Sequence, residues 1–249
     1  MQWIDEGIIL GTRRHGETSL IVELMTAGHG RHLGLVKGGR SRRHQAVLQP
    51  GNGVTAIWRA RLHEHLGNWT LEPVASRAGR LMASATGLYS VQLLAAHLRL
   101  LPERDPHPRL YRALGAILDD LEDPLAAGEL LVRFEVEMLN ELGVGLDLSR
   151  CAATGETEGL AFVSPKTGRA VSRAAGAPYG EKLLGLPGFL IHRQPHVPPP
   201  IADLLAGFAL TGFFLDRHVY ESRGIASPPA RRGLIGLIEG VGQRIEANS

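Results

Sequence analysis

The sequence predicts an α+β fold, with a small five-stranded barrel first and then a helical region interrupted by a loop-rich insert. Three observations carry this reading. Apolar residues alternate with a period of two before residue 76, and the spacing changes to three and four from Ala78. Residues 147–199 hold neither period and are rich in Gly, Pro, Ser and Thr. The expected boundaries are 1–78 for the barrel, 79–146 and 200–249 for one helical domain, and 147–199 for the insert.

The strands come in order. Gly7–Thr12 is a short apolar run ending in the turn-like Arg13-Arg14-His15-Gly16. Leu20, Val22 and Leu24 alternate with Ile21, Glu23 and Met25, as a pleated segment does. Gly28-His29-Gly30 suits a hairpin connection to a return strand at His32–Val36. After a polar loop, Val54, Ala56, Trp58, Ala60 and Leu62 alternate with Thr55, Ile57, Arg59 and Arg61, so one face is apolar and the other bears cations. Gly67–Val74 is the fifth strand, with Trp69 and Leu71 on one face. Five short strands with Gly-rich turns suit a closed or partly closed barrel.

Helical spacing follows. Leu88, Val91, Leu94, Ala95 and Leu98 form one stripe, ended by Pro102. Leu110, Leu114, Ile117, Leu118 and Leu121 form a second, led in by Asp105-Pro106 and Pro108. Asp123-Pro124 reads as an N-cap with Pro at the first helical position, and Gly143 as the stop. On that helix Phe134 and Met138 belong to the buried side, and Arg133 and Glu137 to the polar side. The insert has room for two short strands, Leu160–Val163 and Ala170–Ser172, and Val197–Pro200 closes it as an extended linker. Helices resume at Ile201–Tyr220, and a last amphipathic segment carries Leu234, Ile235, Leu237, Ile238, Val241 and Ile245.

Composition narrows the function classes. With 249 residues, 44% hydrophobic and 21% charged, the chain is globular and large enough to bury a core unaided. One cysteine excludes a disulfide framework, a four-thiolate zinc site and a Cys-ligated iron–sulfur cluster, and fits a reducing, cytoplasmic setting. The apolar run Leu204–Leu215 is too short to span a membrane, and Met1–Glu6 lacks the basic start of a secretory signal. The expected location is the cytoplasm, with no membrane partner.

The net charge of +2 conceals an asymmetry: residues 1–80 hold 11 Lys and Arg against 6 Asp and Glu, and the remainder is mildly acidic. Lys37-Gly38-Gly39-Arg40-Ser41-Arg42-Arg43-His44 concentrates four fixed cations where a strand ends, beside two glycines that let backbone N–H groups approach a phosphate. Arg13, Arg14 and Arg31 flank neighbouring turns, and Arg59 and Arg61 project from the cation-bearing face. On a barrel, this is the electrostatic footprint of nucleic-acid binding, with Trp69 or Trp58 as a candidate base-stacking surface. No recognition-helix pattern carries the charge, so contact with the backbone is expected rather than base reading.

Catalytic signatures are missing. There is no GxxxxGK[ST] phosphate loop, no dinucleotide fingerprint around Gly51-Asn52-Gly53, and no GxSxG elbow. His63 and His65 share a strand face without a third ligand, and Pro195 keeps His192 and His196 off an ordinary helix. Beside Cys151 only Arg150 offers to lower a thiol pKa, so a buried structural thiol is expected. The chain does not read as an enzyme.

Glu17-Thr18-Ser19-Leu20, Lys37-Gly38-Gly39-Arg40, Leu48-Gln49-Pro50-Gly51 and Arg133-Phe134-Glu135, then Leu142-Gly143 and Cys151, stand in an order and spacing that resembles the RecO family of DNA repair proteins along nearly the whole chain. The resemblance implies an N-terminal OB-fold barrel, a helical domain and a small zinc-finger-like insert. It implies a recombination mediator that binds single- and double-stranded DNA, anneals complementary strands and acts with RecR. Such a protein helps load RecA onto strands coated with single-stranded DNA-binding protein, and associates with the nucleoid during repair. Lys37, Arg40, Arg42 and Arg43 look like part of the family's DNA-contacting loop, and contact with the coating protein's tail would fall on the helical domain. Many members hold zinc in the insert through a cysteine cluster. Only Cys151 stands here, so a zinc-free insert packed through Leu160, Phe162 and Val171 is expected, with no cofactor. Two other readings stay open: an OB-fold RNA-binding or ribonucleoprotein interaction module, and a hydrolase using the histidines and a bound metal.

Overall fold

A computed structural model describes residues 1–121, 123–192 and 198–247. The chain divides into two compact units, Met1–Glu122 and Asp123–Ser249.

The first unit is built on five strands: β1 (Gln2–His15), β2 (Ser19–Thr26), β3 (Gly30–Val36), β4 (Gly53–Arg59) and β5 (Asn68–Ala75). They close into a barrel in the order β1-β2-β3-β5-β4. β1 serves two neighbours, its first half pairing with β4 from Gln2↔Arg59 to Ile8↔Gly53, its second half with β2 out to His15↔Ser19. A register shift between Ile9 and Gly11 supplies the bend this needs. β3 and β5 meet only at Leu35↔Asn68, and the Glu103–Arg104 segment fills the wall beside them, with the Arg104 N–H donating to Arg31 O at 2.8 Å.

The alternation seen in the letters is the pleat of these strands. Ile9, Val22, Leu24, Val54, Ala56, Trp58 and Trp69 all point inward and are buried. Both indoles satisfy their polar end inside: Trp58 Nε1 donates to Leu66 O at 3.0 Å and Trp69 Nε1 to Val22 O at 3.2 Å. Gly67 makes the first of these possible, because it has a φ of +69° and a Cβ there would lie 2.3 Å from the Trp58 Nε1.

Three sequence expectations change. β1 is much longer than the run Gly7–Thr12. The stretch read as a polar loop contains a helix, α1 (Arg42–Val47), which buries no side chain and so leaves no apolar stripe to read. β4 stops at Arg59, although the alternation continues in the letters to Leu62; Arg61 and His63–His65 lie in the following turn.

Helices α2 (Ala78–Met82), α3 (Ala85–Leu98) and α4 (Pro108–Asp119) complete this unit. Ser84 caps α3 by accepting from the Gly87 N–H at 3.0 Å, and Arg77 clamps Asp119 with two bonds of 2.6 and 3.0 Å.

The second unit gathers α5 (Pro124–Glu141), the insert strands β6 (Leu160–Val163) and β7 (Ala170–Ser172), α6 (Arg173–Gly176), β8 (Leu184–Gly185), α7 (Ile201–Leu215), α8 (Glu221–Arg223) and α9 (Pro229–Ala247). Asp123 caps α5 by accepting from the Leu125 N–H at 3.1 Å, and Gly143 ends it with a φ of +79°, as its letters predict. β6 and β7 fall on the predicted residues, and β8 joins them in a three-stranded sheet, β7-β6-β8. α7 runs on through a π-turn at Asp216–Tyr220. Pro198–Pro200 precede α7, while Val197 and His196 lie outside the described residues.

Helix α5 settles two charged residues in different ways. On the polar side Arg133 pairs with Glu129 one turn back, at 2.8 Å. Glu135, a charged residue beside Phe134, is fully buried and receives Arg231 of α9 and the Thr211 hydroxyl of α7. That one carboxylate ties three helices together. Burial of the Tyr220 phenol, with the Glu135 charge adding, pushes its pKa up.

Candidate nucleic-acid interface

Two chain segments meet at one end of the barrel. The β1–β2 hairpin brings Arg13 and Arg14 to its tip, opposite Ile21 and Leu20. The loop after β3 is stapled to that tip: the Arg40 backbone N–H donates to Thr18 O at 3.0 Å and its guanidinium donates to Glu17 O. Gly39 packs closely against Leu20, where a Cβ would lie 3.1 Å from the Leu20 Cβ and from Val36 O. His44 then bridges Ser41 Oγ at 3.0 Å and Gly38 O at 3.1 Å, fixing the start of α1.

The consequence is a convergence of six cations. Arg13, Arg14, Lys37, Arg40, Arg42 and Arg43 are all exposed, and among the described residues none has a carboxylate within ion-pair distance. Unneutralised like charges raise the local potential, and a polyanion lowers it again.

The other three predicted residues lie elsewhere. Arg31 is turned into the wall, its guanidinium 2.8 Å from Glu23, 3.7 Å from Glu103 and 3.2 Å from Leu101 O. Arg59 stands at the opposite end of β1, where its Nε donates to Gln2 Oε1 at 2.9 Å. Arg61 is exposed in the β4–β5 turn.

Neither Trp58 nor Trp69 offers a face for base stacking. Both are buried, 0% and 4% exposed, inside a cluster with Trp3 and His32. Trp3 is the outermost member, and His29 covers it at 3.8 Å in a parallel stack. Burial holds the His32 imidazole down to about 4, so it is neutral at physiological pH, with Nδ1 3.0 Å from Leu33 O.

Sequence reasoning missed the clamp that holds this part of the wall. Arg104 is the only non-glycine residue with positive φ (65°) among the described residues. Its guanidinium lies 5.8 Å from the Trp58 ring centroid and donates to His63 O and to His65 O, the latter at 2.8 Å. Nothing in its letters marks it, since Arg is not a residue expected in the left-handed region.

The two models for Recombination protein O match this chain, the N-terminal one over residues 1–77 and the C-terminal one over residues 83–224. The DNA repair protein RecO of Chelativorans sp. (strain BNC1) is 60% identical over 238 residues, 96% of each chain. That of Rhizobium etli is 61% identical, covering 94% of this chain and 91% of its own, and that of Methylobacterium nodulans 59% identical, covering 95% and 98%. The chain belongs to the RecO family. The RecO N-terminal match spans the whole barrel and the six converging cations, and the RecO C-terminal match includes α5, the insert and α7. RecO proteins are DNA repair proteins, and this chain is a member of that class.

Within the RecO C-terminal region, Cys151 shows what occupies the place where the resemblance implies metal ligands. Among the described residues, no three His, Cys, Asp or Glu side chains gather at a point. Backbone hydrogen bonds hold the loop: Cys151 N–H donates to Glu156 O at 2.7 Å, Ala152 N–H to Ala170 O at 2.8 Å, and Gly155 N–H to Cys151 O at 2.9 Å. The Ser172 N–H donates to Cys151 Sγ at 3.2 Å. Hydrogen bonds from Thr154 and Ser172 hold the thiol down to about 6, against the opposing effect of burial. That corrects the expectation that only Arg150 could act on it. The sulfur is buried, and the groups that lower its pKa also close it in.

Proposed function

We propose that this chain is a recombination mediator that binds single- and double-stranded DNA through the barrel, residues 1–78, and anneals complementary strands. With RecR it helps load RecA onto DNA coated with single-stranded DNA-binding protein, in the cytoplasm at the repairing nucleoid. The observation that supports this reading is the convergence of Arg13, Arg14, Lys37, Arg40, Arg42 and Arg43 on one end of a barrel, exposed and without acidic partners among the described residues.

The chemistry suits annealing. Two strands repel through their phosphates, and a cluster of exposed side-chain cations lowers that repulsion while leaving base edges free to pair. No bond is made or broken, so no catalytic constellation is needed. Arg31 holds the wall in this reading, and Arg59 and Arg61 lie away from the principal contact.

The decisive experiment is annealing of complementary oligonucleotides, bare and coated with single-stranded DNA-binding protein, by the natural chain and by Arg40→Ala/Arg42→Ala/Arg43→Ala. The variant is expected to anneal at least tenfold more slowly with an unchanged circular dichroism spectrum. Equal rates would move the DNA contact elsewhere.

A further inference from the structure

The end of the barrel away from the cationic hairpin is closed by rings rather than by aliphatic side chains. Trp3 is fixed there on several sides, 5.7 Å from the Trp58 ring at 22°, and edge-on to Trp69 at 5.3 Å and to His32 at 5.2 Å. Its outer face is covered by His29, parallel to within 4° at 3.8 Å. The two rings are held very differently. His29 sits in the β2–β3 turn with its side chain 37% exposed, and its ring makes one hydrogen bond among the described residues, Nδ1 to Asp5 Oδ2 at 2.8 Å. Asp5 does not depend on that bond, because Oδ1 accepts the Glu6 N–H at 2.9 Å and Oδ2 the Gly28 N–H at 2.8 Å. Rotation of one side chain therefore uncovers an indole face and leaves every strand in place.

Cations edge this end. Arg59 stands one residue beyond the Trp3↔Trp58 pair, exposed, with its Nε on the neutral Gln2 Oε1, and Arg61 is exposed in the turn that follows. The Met1 ammonium donates to Ala60 O at 2.7 Å, and the Arg104 guanidinium lies 5.8 Å from the Trp58 ring. The carboxylates of the same rim are Asp5, Glu64 and Asp105. Asp5 is taken up by two backbone N–H groups, and Asp105 lies 3.5 Å from His107 Nε2. Arg59 and Arg61 have no carboxylate within ion-pair distance among the described residues.

We propose that the outer face of Trp3 is a stacking site for one unpaired nucleobase of single-stranded DNA, which takes the place of His29 while Arg59 and Arg61 meet the flanking phosphates. The stack itself selects the occupant. A flat π system lying parallel on an indole is the arrangement a base adopts on an aromatic side chain, and every base has such a face. The unpaired guanidinium groups beside it suit a ring that arrives with phosphates, which an aromatic side chain of a protein does not bring. Bases inside a duplex are stacked on one another and cannot reach Trp3, so the contact belongs to single strands. The site rests on the reading that the barrel binds DNA, and adds what the cationic end lacks, a means of telling a single strand from a duplex. Trp3 and Arg13 are ten residues apart on β1, at most about 33 Å, so one strand can engage both ends within the roughly 4–16 nucleotides that such a barrel covers.

The test is a tryptophan-fluorescence titration of the full chain with three probes of about twelve nucleotides: oligothymidylate, an abasic strand of the same charge, and a duplex. Oligothymidylate is expected to quench the emission and to bind roughly tenfold more tightly than the abasic strand, which like the duplex should leave the emission unchanged. His29→Ala, which uncovers the indole, should tighten oligothymidylate several-fold and leave duplex binding as it was. Trp3→Leu, which keeps the interior filled, should bring oligothymidylate down to the abasic affinity; if it does not fold, the abasic comparison and His29→Ala decide the matter. Equal affinity of the natural chain for oligothymidylate and the abasic strand overturns the proposal, as does a His29→Ala variant whose preference for oligothymidylate is unchanged. The arginine triple variant should bind all three probes more weakly yet keep the ratio of oligothymidylate to abasic strand. Loss of the ratio with duplex binding intact thus refutes the stacking site, and undiminished affinity in the triple variant refutes the proposed DNA contact, so the two readings fail separately.

Discussion

Arg231 and Glu135 meet across 96 residues of sequence, Nε to Oε1 at 2.9 Å and Nη2 to Oε2 at 3.0 Å, with the carboxylate wholly buried. Burial works against the guanidinium charge, but the Glu135 charge and hydrogen bonds outweigh it and raise its pKa. Removing one member strands the other's charge in the interior, at a cost of about 3–5 kcal/mol. Glu135→Ala or Arg231→Ala should therefore lower the urea midpoint strongly. The double variant Glu135→Leu/Arg231→Met should recover most of the loss, because no orphaned charge remains. Additive losses in the double variant would contradict this.

His32 makes the barrel sensitive to acid. Its pKa is about 4 when folded and near 6.5 when unfolded, so between those values the unfolded chain binds the extra proton. Stability rises with pH across that window and falls on acidification, by about 3 kcal/mol in all, with no further contribution below pH 4. Comparing the pH slope of the urea midpoint between the natural chain and His32→Gln isolates this contribution. The variant should show a shallower slope from pH 4 to 6.5, whatever its absolute stability.

Arg104 combines a left-handed backbone with three favourable contacts. Glycine removes the backbone cost, roughly 1–2 kcal/mol, and alanine does not. Arg104→Gly is thus expected to melt higher than Arg104→Ala. Both should expose the β4–β5 turn at Arg61 to trypsin sooner than the natural chain does, since the bonds to His63 O and His65 O are gone. Equal melting of the two variants would mean that the φ of 65° carries no strain.

The salt dependence of DNA binding counts the phosphates contacted. Each contact contributes about −0.9 to the logarithmic salt slope on duplex and about −0.7 on single strands. Arg42→Ala/Arg43→Ala should flatten the duplex slope by about 1.8 and change nothing in α1 packing, because that helix buries no side chain. Arg40→Ala should do more than its single charge suggests, since its guanidinium also anchors the loop to Glu17 O.

What could be read from the letters follows what each residue needs from its own neighbours. Leu20–Met25 and Val54–Trp58 declare themselves because a pleat sorts alternate side chains to opposite faces, and Asp123-Pro124 with Gly143 brackets α5 through local backbone chemistry. The misses depend on partners that letters do not display. Glu135 looks like a solvent-facing residue until Arg231 arrives from a helix ninety-six positions later. Cys151 is acidified by donors that include the backbone N–H of Ser172, which every residue but proline possesses. Arg31 reads as one more cation, yet Glu23 and Glu103 fold over it. Helix α1 turns only Val47 toward the core and buries no side chain fully, too little to leave a pattern. At the cationic end, the density of charge was legible from Lys37 to Arg43, whereas its junction with Arg13 and Arg14 required the hairpin.

The divided pairing of β1 also orders the assembly of the barrel in time. Its second half meets β2 across a three-residue turn, and β2 meets β3 across another short one, so this meander closes at little entropic expense. Its first half must wait for β4, about fifty residues away, and the ladder between Gln2 and Ile8 is the late event. Substitutions at Val22 or Leu24 should slow refolding, whereas those at Trp3 or Ile4 should chiefly hasten unfolding.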